Sequence, residues 1–262
     1  MLLAKDIIEF LEEKFPPSLA YEWDNIGLQV GDVNQEISKV MIALDGITAV
    51  VDEAKKKNVD LIITHHPFIF SGLKSIDFSV PQGRNIQKLI KNDIAIYTIH
   101  TNYDVAFGGM NDLLAQKLGL FDVHPFVMID EVHGLGRIGE VEFDTSLIEL
   151  AEKIKDQWMH EEVSGIKTVD CGSGCRIKKV AVIGGSGGKY IHEAKAVGAD
   201  VLVTGDVTYH MAVDAREIGL NLLDIGHFAE VVMVPHVAGL LAGQFASDVQ
   251  IILPSGIVSP IK

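Results

Sequence analysis

The sequence predicts an α/β protein with two similar lobes, each built on a mostly parallel sheet flanked by helices. From residue 38 onward, short aliphatic runs alternate with longer amphipathic stretches, which is typical of strand–helix–strand units. A stretch of sequence also recurs 140 positions later. Finally, histidines and carboxylates directly follow several of the aliphatic runs. The first two observations predict the fold, and the third predicts where its chemistry lies.

The predicted elements follow in chain order. An amphipathic helix, "MLLAKDIIEFLEEKF", opens the chain and is ended by Pro16 and Pro17. Strands are predicted at 39–45, 60–65, 93–99, 178–184, 199–205, 220–226 and 249–254. Helices are predicted at 48–58, 84–92, 111–118, 145–157, 189–197, 207–218 and 229–242. Because a helix separates most consecutive strands, most strand pairs should be parallel.

The repeated stretch indicates two related halves. Residues 39–64 align with residues 179–204, and both contain "EAK" in the helix and an aliphatic triplet in the following strand. Seven residues match, namely Lys39, Val40, Glu53, Ala54, Lys55, Asp60 and Thr64 with Lys179, Val180, Glu193, Ala194, Lys195, Asp200 and Thr204. We therefore predict an N-terminal lobe at 1–124 and a C-terminal lobe at 125–262, acting as one unit without a large mid-chain insertion.

Composition excludes several classes of protein. The formal net charge of −14 repels phosphate backbones and argues against nucleic-acid binding. There is no uninterrupted run of 18 apolar residues and no signal-peptide cleavage pattern, so we expect neither a membrane span nor secretion. Two cysteines, Cys171 and Cys175, cannot form a zinc ribbon or a disulfide scaffold. We therefore expect a reduced, cytoplasmic protein.

Histidines at strand ends are the main chemical signal. His65 and His66 follow "LIIT", His100 follows "IYTI", and His227 follows "LLDIG". In open α/β sheets, ligands bind beyond the carboxyl ends of the strands. Adjacent histidines just past a strand can turn toward two neighbouring metal ions, with a carboxylate bridging them. The pattern predicts a binuclear metal site with His65 and His66 as ligands. The alternative is that they are hydrogen-bonded packing residues.

Other motifs leave alternatives open. The glycine-rich "VIGGSGGKYIHEA" at 182–194 is neither a Walker motif nor GxGxxG, and could be a tight turn or an anion-binding loop. Asp206 and His210, in "VLVTGDVTYH", could support the site from the second lobe. In "WDN", Trp23, Asp24 and Asn25 could line a pocket and stack on a flat ring. Equally, Trp23 could be a buried anchor with Asp24 capping its loop.

Six segments together resemble the NIF-three-like family, whose members are also catalogued as homologues of type 2 GTP cyclohydrolase I. They are "YEWDNIGLQVGD", "LIITHHPFIF", "IHTNYDVAFGGMND", "VAVIGGSG", "VLVTGDVTYH" and "DIGHFAE", and they span nearly the whole chain. The resemblance implies a dinuclear metal site in the cleft between two lobes and a homohexameric ring with the metals facing its interior. Its implied metal ligands are His65, His66, Asp104, His227 and Glu230, with Asp104 bridging.

The resemblance implies a metal-dependent hydrolase with two divalent ions per chain, of zinc, iron or manganese. It suggests GTP as a substrate, with the imidazole ring opened and formate released. His100 is the candidate proton shuttle or supporting residue. The alternative is a non-catalytic metal-binding ring protein that binds a partner, a nucleic acid or a metabolite. The sequence leaves the physiological substrate and the native metal open.

Overall fold

The computed structural model describes residues 1–158, 165–172, 174, 176–255 and 259–260. The described chain divides into two α/β units, the first formed by residues 1–106 and 233–255, and the second by residues 107–232 and 259–260. The predicted division at residues 124 and 125 is therefore wrong. The last helix and strand rejoin the first unit because residues 250–252 pair in parallel with residues 39–41. Cys175 lies outside the described residues.

The elements of the described chain are as follows. The helices are α1 (Ala4–Lys14), α2 (Thr48–Lys57), α3 (Pro81–Lys91), α4 (Thr101–Val105), α5 (Met110–Lys117), α6 (Leu147–Gln157), α7 (Ile191–Ala196), α8 (Tyr209–Glu217) and α9 (Met233–Phe245). The strands are β1 (Gly27–Val30), β2 (Lys39–Ala43), β3 (Leu61–Thr64), β4 (Ala95–Thr98), β5 (Phe121–Met128), β6 (Gly134–Thr145), β7 (Lys167–Val169), β8 (Ile177–Val182), β9 (Val201–Thr204), β10 (Asn221–Asp224) and β11 (Gln250–Ile252). Short 3₁₀ segments occur at Pro17–Leu19, Gly188–Tyr190 and His227–Val232.

The first sheet has the strand order β1-β4-β3-β2-β11. Its strands pair in parallel except for β1, which runs antiparallel to β4. All four residues of β3 are buried, as are those of β4, which is expected of parallel strands covered on both faces. Because β2, β3 and β4 are parallel neighbours, their carboxyl ends lie at one edge of this sheet.

The second sheet has the order β5-β6-β8-β9-β10-β7. Only β8, β9 and β10 pair in parallel, whereas β5, β6 and β7 join through antiparallel pairings. The expectation of a mostly parallel sheet thus holds for the first sheet and for the centre of the second. A short connection joins β5 to β6, and antiparallel neighbours permit such connections whereas parallel ones need a long crossover.

Contacts confirm that the sequence repeat is a structural repeat. Residues 39–64 form β2, α2 and β3, and residues 179–204 lie in β8, α7 and β9. Asp60 accepts hydrogen bonds from the backbone N–H groups of Ser38 and Lys39, both at 2.8 Å. Asp200 does the same for Lys178 and Lys179, again at 2.8 Å. Each carboxylate thus joins the start of one strand to the turn before the next.

One helical stretch, His227–Phe245, is long and apolar enough to cross a membrane by length and composition. It has 19 residues, a mean hydropathy of 1.4 over its apolar window, and 39% of that window is buried. It is weak evidence for a span, because core helices of globular proteins share the same length and composition.

Candidate metal centre

His65 and His66 lie directly after β3, at the edge where the parallel strands of the first sheet end. The backbone N–H groups of both residues donate to the carbonyl of Leu44, at 3.2 and 3.0 Å. Leu44 follows β2, the neighbouring parallel strand, so the sheet itself fixes the start of the loop. The His65 side chain is fully buried, whereas that of His66 is partly exposed. The side chains of the adjacent histidines therefore have different environments although their backbones share one acceptor.

Each histidine at this edge donates from Nδ1 to an oxygen atom. His65 donates to the carbonyl of Ile99 at 3.0 Å, and His66 donates to Asp45 Oδ1 at 2.7 Å. His100, which follows β4, donates to Asp24 Oδ1 at 2.8 Å. A neutral imidazole that donates from Nδ1 has its lone pair on Nε2. Metal-bound histidines typically show this second hydrogen bond, because it fixes the tautomer and the orientation of the ring.

The three histidines form a group that can hold a metal ion. One ligand atom from each of His65, His66 and His100 lies within 4.8 Å of the others. Asp104 lies next to them, with its Oδ1 3.6 Å from His65 Nε2. The structure thus brings together the three strand-end histidines that the sequence predicted for the first unit and Asp104, which the resemblance implied. It also adds His100 to the set of potential ligands.

Asp104 is positioned by the short helix α4. Asn102 Nδ2 donates to the carbonyl of Phe15 at 2.7 Å, and the Tyr103 hydroxyl donates to His236 Nδ1 at 2.8 Å. Burial, together with the nearby Asp104 carboxylate, raises the pKa of Tyr103 well above its usual value. Tyr103 therefore remains a neutral donor, and the helix that carries Asp104 is fixed on two sides.

The second unit has its own histidine–carboxylate cluster. His227 begins the 3₁₀ segment after β10, and its Nε2 lies 3.2 Å from Glu230 Oε2. His227 Nδ1 donates to Asp206 Oδ2 at 2.7 Å. Glu230 is almost completely buried. Asp206 thus orients the His227 ring as Asp45 orients the His66 ring, and its predicted support of a metal site stays a prediction.

The glycine-rich segment is a tight turn that packs against this second cluster. A Cβ atom on Gly185 would lie 2.7 Å from Glu230 Oε1, and Gly185 has a φ of +58°. A Cβ atom on Gly205 would lie 2.7 Å from the backbone nitrogen of His227. Side chains at these positions would displace His227 or Glu230. Of the two interpretations of this segment, the tight turn is confirmed, and binding of an anion stays a prediction.

Of the two interpretations of "WDN", the one in which Trp23 is a buried anchor is wrong. Trp23 is 56% exposed, whereas the side chain of Asp24 is fully buried. Burial alone would raise the pKa of Asp24, but hydrogen bonds from His100 and Thr101 outweigh it and lower this pKa to about 2. Asn25 Nδ2 donates to the carbonyl of Ile69 at 2.5 Å. Asp24 and Asn25 thus anchor the loop that presents Trp23.

Two residues complete the comparison with the sequence prediction. His210 is exposed near the start of α8, with its ring against that of Tyr209, and its predicted supporting role stays a prediction. Asp45, which orients His66, was missed. It ends the predicted strand 39–45, so the same strand-end rule that selected the histidines would have selected it.

The described chain is thus a mixed α/β protein of two units, each of which carries a cluster of histidines and carboxylates at the ends of its parallel strands. A family model described as Duf34/NIF3 (NGG1p interacting factor 3) matches residues 2–257. The chain belongs to this family.

Its relatives agree with this assignment. A protein from Clostridium perfringens named "GTP cyclohydrolase 1 type 2 homolog" is 37% identical, with 98% of each chain covered. A protein of the same name from Streptococcus pneumoniae is 38% identical, covering 92% of this chain and 91% of the relative. The crystal structure of a Bacillus cereus protein related to NIF3 superposes with a TM-score of 0.92 at 32% identity, covering 100% of this chain and 99% of the other.

Proposed function

We propose that this protein is a metal-dependent hydrolase that uses two divalent ions. Its proposed ligands are His65, His66 and Asp104 from the first unit and His227 and Glu230 from the second. One observation carries the proposal. All four strand-end histidines donate from Nδ1 to a carboxylate or carbonyl oxygen, at distances of 2.7–3.0 Å. Such bonds are typical of metal-ligating histidines.

The donor set fits a catalytic metal better than a structural one. Imidazole nitrogens and carboxylate oxygens suit zinc, iron and manganese, whereas structural zinc sites are usually closed and rich in cysteine. No cysteine is among the proposed ligands. When bound, two divalent ions would supply Lewis-acid activation of water and stabilise the negative charge that develops on the substrate.

The protein's own residues would orient ligands and move a proton. Asp45 and Asp206 fix the rings of His66 and His227, so the ligand nitrogens are pre-oriented before a metal binds. His100 has its Nδ1 held by Asp24, which leaves Nε2 to accept a proton from water or return one to a leaving nitrogen. His100 is therefore the proposed proton-transfer residue, and it also has the geometry of a further ligand.

The names of the relatives suggest the reaction. They are named homologues of a GTP cyclohydrolase. Such a hydrolysis would add water to the imidazole carbon that lies between the two ring nitrogens of GTP. A second water would then release that carbon as formate, which leaves an amine on the purine-derived product. We propose GTP as the first substrate to test.

The test is formate release from GTP by metal-reconstituted protein. We expect stoichiometric formate, together with loss of the purine absorbance, and a loss of activity of at least about 100-fold in His100→Ala. His133→Ala is the matched control, since His133 also donates from Nδ1 to a carboxylate, Asp130, but lies on the exposed β5–β6 connection. Full metal occupancy without turnover of GTP or related purines would contradict the hydrolase proposal.

A further inference from the structure

An exposed aromatic surface lies beside the histidine group of the first unit. The Trp23 ring stacks on Tyr21, with centroids 5.8 Å apart and planes inclined by 9°. Phe70 lies 6.1 Å from Trp23. The ring of His100 lies 6.2 Å from Trp23 in an edge-on arrangement. Both Trp23 and Phe70 are 56% exposed. Three aromatic side chains therefore form one surface, and its central ring, that of Trp23, lies beside His100.

The protein holds this surface in place. Next to Trp23, Asp24 accepts hydrogen bonds from His100 Nδ1, Thr101 N and Thr101 Oγ1. On the other side, Tyr21 N donates to Thr101 Oγ1 at 3.1 Å. The residues flanking Trp23 are thus bonded to the same short segment that carries His100. These bonds hold the backbone on both sides of Trp23 next to the segment that carries His100.

The Phe70 side of the surface is also fixed. Asn25 Nδ2 donates to the carbonyl of Ile69, and Ile69 N donates to Gln29 Oε1 at 3.2 Å. The loop that carries Phe70 is therefore bonded to the loop that carries Trp23. Single exposed apolar residues are common on protein surfaces. An ordered pair of exposed rings on two mutually bonded loops, next to a titratable residue, indicates a surface prepared for a ligand.

We propose that Trp23, with Tyr21 and Phe70, stacks on a planar heteroaromatic ring of the substrate. Tyr21 already covers one face of the indole in a parallel stack, so a ligand ring on the exposed side would extend that stack. Stacking of a base on an aromatic side chain is sequence-tolerant and strengthens binding by about 5- to 150-fold per ring. This inference rests on the proposed function, because it assumes that the substrate reacts next to His100 and the neighbouring histidines.

The chain offers a direct spectroscopic test, because it has only two tryptophans. Trp158 is 3% exposed and lies in the second unit, so Trp158→Phe gives a protein whose tryptophan emission comes from Trp23 alone. This variant is titrated with guanosine, and its tryptophan fluorescence is excited at wavelengths that guanosine does not absorb. Ribose is the non-aromatic control. We expect saturable quenching by guanosine and none by ribose.

Calorimetric titration with guanosine then compares Trp23→Leu with Trp23→Phe. We expect the dissociation constant to rise by about 5- to 150-fold in Trp23→Leu and by less in Trp23→Phe, which keeps an aromatic face. The metal content should not change in either variant. Equal guanosine affinity in Trp23→Leu and the parent would overturn the proposal. So would a fall in the sedimentation coefficient of Trp23→Leu, because the indole would then be covered by a second copy of the chain.

The two proposals fail differently. Guanosine that binds and quenches Trp23, without formate release from GTP, supports the stacking surface and contradicts the hydrolase. Formate release with a KM that Trp23→Leu leaves unchanged supports the hydrolase and contradicts the stacking surface.

Discussion

Asp45 and Asp206 each bind the Nδ1 of a strand-end histidine, at 2.7 Å in both cases. Neither is a proposed ligand, so each acts on a metal only by holding a ring in the ligating orientation. Outer partners of this kind typically change metal affinity by 10- to 100-fold. Substitutions of Asp45 and Asp206 can therefore test metal binding while the proposed ligands stay intact.

We expect Asp45→Ala and Asp206→Ala to weaken metal binding by about 10- to 100-fold, measured by competition with a chromogenic chelator. Asp130→Ala is the control, because Asp130 makes the same type of bond to the exposed His133 at 2.9 Å. If all three variants bind metal equally well, His66 and His227 are not oriented for metal binding.

Arg137 is a second residue whose role is local and strong. It is 1% exposed, donates from Nη1 to the carbonyls of Gly134 and Gly136 at 2.9 Å, and pairs with Asp112 through two nitrogens. Arg137 is the buried partner, whereas the Asp112 side chain is 26% exposed. Removing the arginine would leave a partly solvated carboxylate and two backbone carbonyls without this donor, a loss of about 1–3 kcal/mol.

Arg137→Met should therefore lower the free energy of unfolding by about 1–3 kcal/mol in urea denaturation. Arg176→Met, which removes an exposed pair with Glu149, should change it by less than about 1 kcal/mol. Replacing both partners, in Arg137→Met with Asp112→Leu, should restore part of the loss. An Arg137→Met protein as stable as Arg176→Met would show that the buried pair does not stabilise the second unit.

At the scale of elements, helix α9 stabilises α4, the helix that carries Asp104. His236 on α9 accepts a hydrogen bond from Tyr103 on α4. Burial, with a smaller contribution from Lys14, lowers the pKa of His236 below its usual 6.5. The folded protein thus prefers the neutral imidazole, whose Nδ1 lone pair can accept a hydrogen bond from the Tyr103 hydroxyl.

The stability of the protein should therefore decrease as the pH falls below 6.5. Above pH 6.5 the imidazole is neutral in both folded and unfolded chains, and the full stability is present. As the pH falls below 6.5, the unfolded chain takes up a proton first, so stability decreases until the lower folded pKa is reached. We expect the melting temperature to fall less between pH 7.5 and about pH 5 in His236→Gln than in the parent protein. His192→Gln, at an exposed position, should keep the parental slope, and a parental slope in His236→Gln would contradict this account.

Strands that consist of aliphatic runs were predictable from the sequence, and strands without such runs were not. The seven predicted strands are all present, because each contains a continuous aliphatic run, and in most of them this run is buried as expected of parallel strands. Strands β1, β5, β6 and β7 were missed. The first four residues of β5 are exposed, and β6 contains three glycines, so neither shows a regular alternation of buried and exposed positions.

The candidate site was predictable to the extent that it follows strand ends. His65, His66 and His100 were selected because parallel strands end at one edge, and Asp104 was implied by the family resemblance. The structure groups all four there. The bond between His100 and Asp24 joins residues 76 positions apart. It depends on an irregular loop whose path no local pattern encodes.

At the scale of the whole molecule, the resemblance predicts a homohexamer. The loop between β3 and α3 exposes Leu73, Ile76, Phe78 and Val80. Exposed apolar groups of this kind are typical of surfaces that bind another protein. We expect sedimentation velocity to give six times the chain mass of 28.5 kDa, and Ile76→Glu with Phe78→Glu to give smaller species. A monomer in the parent protein would contradict the predicted assembly.

The central claim is that strand-end histidines and carboxylates bind two divalent ions, and metal stoichiometry tests it most directly. Purified, reconstituted protein is measured by elemental mass spectrometry beside His65→Ala, Glu230→Ala and the control His133→Ala, each checked for folding by circular dichroism. The account predicts close to two ions per chain in the parent and in His133→Ala, and a clear loss in His65→Ala and Glu230→Ala. A folded parent protein that retains no metal after reconstitution would contradict it.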